Sequence, residues 1–328
     1  MKTYDLLIAG RGAAAYAAGL YAGRYRLDTV LAGDSFGGET AIGGVIENYP
    51  GQPEIDGFDL MMKFREQVEK LEVPAIDANL SHVRREGDAF TAELSDGQKV
   101  RALSVILAIG RERRKLNLPH EEEWTGRGVS YCSTCDAPLY RGKDAAAVVG
   151  GGSAAVEGAI LIAKYAKTVY LIYRREKFTR PEPVLLHILD HTQNVKVLYT
   201  TEVKELIGSD AAGLTHISIS RPHEGQDVLQ VDGLFIEAGA DPRVEVAKEL
   251  GVELNGQTGE VHVDRLMRTN VQGIYAAGDL TDGSGALKQT VTAAAQGAIA
   301  ALSAYQYVSE HKAGHGAQDA KQQAAAHV

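Results

Sequence analysis

The chain opens on a brief apolar run, Leu6 to Ala9, that stops at Gly10, and short apolar runs of this kind recur between alanine-rich stretches. An apolar run of several residues that ends at a glycine predicts a buried strand, and a longer alanine-rich segment predicts a helix. Strands are predicted in this way at Leu6–Ala9, at 104–109 (SVILAI), at 233–239 (GLFIEAG) and within GIYAAGD, which leads into Gly278 and Asp279. A long alanine-rich helix is predicted over 287–309. Residues 313–328 (AGHGAQDAKQQAAAHV) are small, polar and aperiodic, and read as a disordered tail.

The pattern also repeats. Residues 6–35 lie without gaps on residues 146–175, placing Gly10 on Gly150, Gly12 on Gly152 and Ala15 on Ala155. Each copy reads strand, G-x-G-x-x-A turn, helix, strand, which is the context that turns a glycine motif into a dinucleotide fingerprint. The first glycine permits a tight turn, and the second lets the backbone approach a pyrophosphate. The small third residue lets the helix pack on its strand, so that the helix N-terminus faces the phosphates. Two copies imply two dinucleotides; one live site with one structural copy is the plainer alternative.

The copies differ just beyond the second strand, where nucleotide identity is read. The first has Asp34, whose carboxylate suits a ribose diol, as in FAD or NAD. The second has Arg174 and Arg175, which suit the 2′-phosphate of NADPH because guanidinium pairs bidentately with phosphate. A solvated charge cluster is the alternative for the two arginines. The fold class expected is α/β, with two Rossmann-like, three-layer nucleotide-binding domains, the second inserted into the first. The boundaries expected are 1–114 with 242–312 for the first domain and 115–241 for the second.

Composition narrows the function. At 328 residues the chain has room for about two domains. Its formal charge is 34 − 43 = −9, which argues against general binding to nucleic acid or to an anionic membrane. The first apolar run is too short for a secretory segment and no stretch reaches membrane-spanning length, so a cytoplasmic protein is expected.

Both cysteines of the chain, Cys132 and Cys135, fall within SYCSTCDA, with Asp136 directly behind. A redox pair, half of a metal site and two buried small residues are the competing readings. Structural zinc usually takes four ligands, and this chain has no second CxxC. The nearest spaced histidine pair, His187 and His191, lies some fifty residues downstream of the cysteines. The metal reading is therefore weak.

In order along the chain stand GRGAAA, GG-ET, ENYPG, CSTCD, GGGSAAVE, YRREKF, GIYAAGD and LKQTVTAAAQG. In their joint order, from residue 4 to about 310, these motifs resemble the low-molecular-weight thioredoxin reductases, class II pyridine nucleotide–disulfide oxidoreductases. The resemblance implies FAD and NADPH as cofactors, thioredoxin or a thioredoxin-like protein as partner, and a homodimer. It assigns the FAD pyrophosphate to Gly10, Gly12, Ala13 and Ala14, and the flavin surroundings to Gly37, Gly38, Glu39 and Asn48. Gly278 and Asp279 would meet the flavin's sugar-alcohol chain, and Lys288, Gln289 and Thr290 would lie near the isoalloxazine pyrimidine. For NADPH it assigns Gly150, Gly152, Ser153, Ala154, Arg174, Arg175 and Arg180. Cys132 and Cys135 would form the redox disulfide, Cys135 nearer the flavin, and Asp136 would manage protons. In the family the inserted domain rotates, so that NADPH and the dithiol take turns at the flavin.

The chemistry agrees with this assignment. A flavin converts a hydride into dithiol equivalents, thiol–disulfide exchange needs a thiolate, and a nearby carboxyl group can carry the proton. A cap on the turn after the cysteines is the plain alternative for Asp136.

The chain departs from the family pattern in several places. Glu39 stands where glutamine is typical, and Ala137 where glycine is frequent. In YRREKFTR, Tyr173 replaces histidine, Thr179 takes the place of the third arginine, and Arg180 is shifted by one and followed by Pro181. Two variant readings keep flavin and disulfide: a reductase fed by another donor such as ferredoxin, and a dithiol oxidase. A non-enzymatic nucleotide-binding protein leaves the coincidence of two fingerprints and a CxxC unexplained. A ferredoxin–NADP reductase of the same fold is disfavoured because such relatives lack the CxxC.

Overall fold

The computed structural model describes residues 2–179 and 181–325, with side chains described up to residue 313. It divides into two compact units, Met1–Arg111 with Pro242–Val328, and Glu112–Asp241.

In the first unit the strand Thr3–Ala9 lies parallel to Thr29–Ala32 on one side and to Lys99–Leu107 on the other. Leu6, Leu7, Ile8 and Ala9 are fully buried, as strands covered on both faces require. Lys99–Leu107 carries two further neighbours. Its first half pairs antiparallel with Ala89–Leu94, and its last three residues pair parallel with Ile274–Ala276. The chain's second passage through this unit thus joins the sheet laid down by the first. The strand starts at Lys99, before the apolar run at 104, because Val100 and Ala102 point inward while alternate residues face outward. Such alternation marks a half-exposed hairpin strand and carries no continuous apolar signal.

The helices Ala13–Arg24 and Thr290–Ala325 owe their alanine content to close approach. A Cβ on Gly297 would stand 2.0 Å from the carbonyl oxygen of Ala14. Ala14, Ala15, Ala18, Ala300, Ala301 and Ala304 are buried in the same core. The second helix runs from Thr290 to Ala325, well past 309. The expected disordered tail is helical as far as Ala325, and its last residues, 326–328, lie outside the described ones. Alanine, lysine and glutamine are strong helix formers and need no apolar stripe to propagate a helix already nucleated.

The second unit holds a five-stranded parallel sheet in the order Val129–Ser130, Gly233–Ile236, Ala145–Val149, Thr168–Tyr173, Val195–Tyr199. A three-stranded antiparallel sheet, Val203–Ser209, Gly213–His223 and Gln226–Gln230, adjoins it in sequence. The helix Ser153–Ala163 buries Ala155, Val156, Ala159 and Ile162 against one face of the parallel sheet. The two chain crossings, Arg111–Arg113 and Ala240–Pro242, pair as a two-stranded ladder. Among the described residues no helix is long and apolar enough to cross a membrane.

Candidate functional site

The first glycine fingerprint lies between the strand Thr3–Ala9 and the helix Ala13–Arg24. Gly10 adopts φ +115°, and a Cβ there would strike the Ala108 carbonyl oxygen at 2.2 Å. Only glycine fits. Gly12 is the N-cap of the helix, no side chain caps it, and a Cβ built on it would meet nothing within 4 Å. The result is an open, glycine-walled cradle facing the N–H groups of a twelve-residue helix, which suits a diphosphate. Ala13 and Ala14 are buried, so their main-chain N–H groups are what they offer a ligand.

Asp34 follows the strand Thr29–Ala32 and is exposed. It accepts hydrogen bonds from Asn79 Nδ2 at 2.5 Å and Ser35 Oγ at 2.7 Å. Asn79 was not visible as a site residue, nor was Arg11, which donates to the Gly33 carbonyl at 3.3 Å and pairs with Asp77. Both act across long sequence separations, which leave no local pattern.

The remaining flavin candidates of this unit come from distant parts of the chain. Gly37 and Gly38 open the short helix Gly38–Ala41, which also carries Glu39. Asn48 Nδ2 donates to Gln289 Oε1 at 3.1 Å, and the Thr40 and Thr290 hydroxyls are 3.0 Å apart. Gly278 N donates to Gln296 Oε1 at 2.7 Å, and Thr281 Oγ1 donates to the same oxygen at 3.0 Å. Lys288 pairs at 2.9 Å with Glu260, a buried carboxylate that Arg111 also reaches, at 3.3 Å. Burial raises the pKa of Asp279 above the ordinary carboxylate value; Lys288 and Arg111 oppose the shift, while Glu39 and Glu260 add to it. Glu260, Gln296, Arg111, Thr40 and Thr281 are the members of this set that sequence reading missed. The set combines uncapped helix N–H groups, amide and hydroxyl side chains, and a carboxylate tuned by burial, which fits a flavin dinucleotide.

In the second unit Cys132 and Cys135 form a disulfide with Cα atoms 5.3 Å apart. Cys132 is half-buried, and its sulfur accepts from Cys135 N at 3.2 Å, capping the turn Ser133–Asp136. Cys135 is exposed. Asp136 makes no side-chain cap to the following turn Ala137–Tyr140, where Pro138 removes one of the N–H groups such a cap would use.

Two carboxylates bond to residues next to the cysteines in sequence, Ser133 and Tyr131. Glu237 accepts from Ser133 N at 3.2 Å and from Ser133 Oγ at 2.8 Å. Glu121, buried, accepts from the main chain at Leu116 and Leu118 and from the Tyr131 hydroxyl, and Tyr131 holds its proton more tightly than usual through burial and this bond. Nothing near Glu237 in sequence signals its contacts, which span 104 residues, whereas those of Glu121 lie within ten residues of it. Among the described residues no cluster of three or more His, Cys, Asp or Glu could hold a metal ion.

The second fingerprint repeats the first. Gly152 caps the helix Ser153–Ala163 without a side-chain bond, and a Cβ on it would meet open space. Ser153 Oγ accepts from Glu182 N at 3.1 Å, and Ala154 is exposed. Arg174 and Arg175 are exposed just past the strand Thr168–Tyr173. Tyr173 lies with its ring over Gly151, and its hydroxyl stands 2.9 Å from Thr179 Oγ1, so two departures from the family pattern are partners. Arg180 lies outside the described residues.

The profile of the pyridine nucleotide-disulphide oxidoreductases matches residues 4–297. The chain belongs to that family, among the thioredoxin reductases. It is 37% identical over 314 residues to the thioredoxin reductase of Helicobacter pylori, covering 94% of this chain and 99% of that one. It is 34% identical to the Listeria innocua thioredoxin reductase over 98% of both chains. The crystal structure of Lactococcus lactis thioredoxin reductase superposes with a TM-score of 0.86 at 32% identity, covering 94% of this chain and all of that one. The family span takes in both fingerprints, the cysteine pair and the segment from Asp279 to Thr290.

Proposed function

We propose that the chain is a thioredoxin-disulfide reductase. It passes two electrons from NADPH through FAD to the Cys132–Cys135 disulfide, and from there to thioredoxin or a thioredoxin-like protein. The disulfide itself carries the reading. The only two cysteines of the chain are joined to each other, with Cys135 exposed, in the unit that also holds the second fingerprint.

FAD, when bound, supplies the conversion of a two-electron hydride donor into dithiol equivalents. Gly10, Gly12, Ala13 and Ala14 would hold its pyrophosphate through main-chain N–H groups, and Asp34 its ribose. Gly37, Gly38, Glu39 and Asn48 would line the ring, Gly278 and Asp279 would take the sugar-alcohol chain, and Lys288, Gln289 and Thr290 the pyrimidine side. Gly150, Gly152, Ser153 and Ala154 would hold the NADPH pyrophosphate, with Arg174 and Arg175, and Arg180 from the sequence, on its 2′-phosphate. Once reduced, one cysteine thiolate attacks the partner's disulfide to form a mixed disulfide, and the other cysteine displaces the partner as a dithiol. Asp136, half-exposed and next to Cys135 in sequence, would carry the accompanying proton; that its side chain makes no cap to the following turn supports this role.

A homodimer and a cytoplasmic setting belong to the same proposal. Tyr21, Leu302 and Tyr305 are exposed on the first and last helices, which supports a subunit contact there. The test of the function is turnover of oxidised thioredoxin with NADPH by wild type and by Cys135→Ser. The variant should lose electron delivery, and unchanged delivery would leave the pair without a catalytic role.

A further inference from the structure

Glu237 stands out among the charged groups of the second unit because it is fixed at both ends. Its main-chain N–H donates to the Val149 carbonyl at 2.8 Å, and its carbonyl oxygen lies 2.2 Å from where a Cβ on Gly150 would be. The side chain is 12% exposed, and a single oxygen, Oε1, accepts both the N–H and the hydroxyl of Ser133. Ser133 is itself buried, with its Oγ and Cβ packed where a side chain on Gly158 would begin. A carboxylate is thus held beside the residue that separates Cys132 from Thr134. Arg113 reaches it at 3.9 Å.

We propose that Glu237 is a positioning residue that sets the redox equilibrium of the Cys132–Cys135 pair. The inference rests on the disulfide-reductase reading and deepens it. The two bonds to Ser133 fix the turn that brings the sulfurs together. The negative charge raises the free energy of a cysteine thiolate in that turn, and therefore of the reduced pair relative to the disulfide. The pair becomes a stronger reductant, as delivery to a partner disulfide requires. Arg113 tempers the effect, so its removal acts in the opposite sense to removal of the glutamate charge.

The test is equilibration of the FAD-loaded protein with mixtures of reduced and oxidised dithiothreitol at fixed pH. Reduction breaks the Cys132–Cys135 S–S bond with two electrons and, for the thiol–thiolate form, one proton from dithiothreitol, which closes its own S–S bond and releases its other proton to the buffer. A thiol-specific maleimide then counts free cysteines by mass. Glu237→Gln keeps an oxygen acceptor for Ser133 and loses the charge. It should shift the equilibrium about tenfold toward the dithiol, about 30 mV more positive for a two-electron couple. Arg113→Gln should shift it toward the disulfide. Bound flavin, read from the visible spectrum, monitors folding in each variant. A normal wild-type titration with Glu237→Gln unmoved, or with both variants shifted the same way, overturns this inference alone. A wild-type pair that does not titrate as a two-electron couple overturns the reductase reading as well.

Discussion

Ser133 occupies the space that a side chain on Gly158 would need. A Cβ at Gly158 would lie 2.5 Å from Ser133 Oγ and 2.9 Å from Ser133 Cβ. The helix Ser153–Ala163 and the turn carrying the disulfide therefore touch at a point with no slack. Gly158→Ala should push the turn outward and cost about 1–3 kcal/mol of stability, the usual range for overpacking. A thermal melt of the holoenzyme and its turnover with thioredoxin check this. Both should fall, and an unchanged melting temperature would show that the turn yields freely.

The arginines past the second fingerprint make a prediction about nucleotide choice. Arg174→Ala with Arg175→Ala should raise the KM for NADPH far more than that for NADH. Each charge-assisted contact to a phosphate is worth about 1.5–3 kcal/mol, so the two KM values should separate by at least about tenfold. Equal changes for both nucleotides would remove the 2′-phosphate role and leave the arginines as solvated surface charge.

Asp279 makes a pH prediction. Burial raises its pKa above the ordinary 3.8, so the native state holds this proton more tightly than the unfolded chain does. The stability it contributes is fully present below that ordinary value and is lost as pH rises through the raised native pKa. Asp279→Asn cannot ionise and escapes this loss. In the apoprotein, the melting temperature of the variant relative to wild type should therefore rise as the pH is raised above that ordinary value. A flat difference over that rise in pH would show that Asp279 titrates normally. The same variant should hold FAD less tightly, measured by flavin released on dilution.

Much of this was readable in the sequence because its causes are local. Gly10 and Gly12, or Gly150 and Gly152, answer to backbone constraints within one turn, and so the fingerprints appear as spacing. Alanine runs report close helix packing in the same way. Lys99 was missed as a strand start because its hairpin half alternates and carries no apolar run. The helix to Ala325 rests on intrinsic propensity without an apolar period, and so carries no amphipathic signal in the sequence. Glu237, Glu260, Gln296 and Arg11 could not be found because each owes its role to a partner brought near only by folding, whereas Glu121 bonds within ten residues of itself but in no recognisable motif. Glu237 lies 104 residues from Ser133, and no pattern in GLFIEAG distinguishes it from a surface glutamate.

Tyr173 and Thr179 show how two departures from a family pattern become one structural fact. Their hydroxyls meet at 2.9 Å beside Gly151, and the tyrosine ring also stacks on Phe178. Tyr173→Phe removes the hydroxyl while keeping the ring. It should loosen the segment that follows Arg175 and raise the KM for NADPH a few-fold, with kcat at saturating nucleotide nearly unchanged, since a neutral hydrogen bond contributes about 0.5–1.5 kcal/mol. A fall in kcat with KM unchanged would contradict this and place the hydroxyl in a later step.

The most direct test of the whole account is anaerobic reduction of the bound flavin by NADPH, followed by oxidised thioredoxin, in wild type and in Cys135→Ser. In wild type, NADPH should bleach the visible absorbance of the oxidised flavin and thioredoxin should restore it. In the variant, NADPH should still bleach the flavin and thioredoxin should no longer restore it. A wild-type flavin that stays oxidised in excess NADPH, or a variant that thioredoxin reoxidises as well as wild type, would contradict the route from NADPH through Cys132 and Cys135.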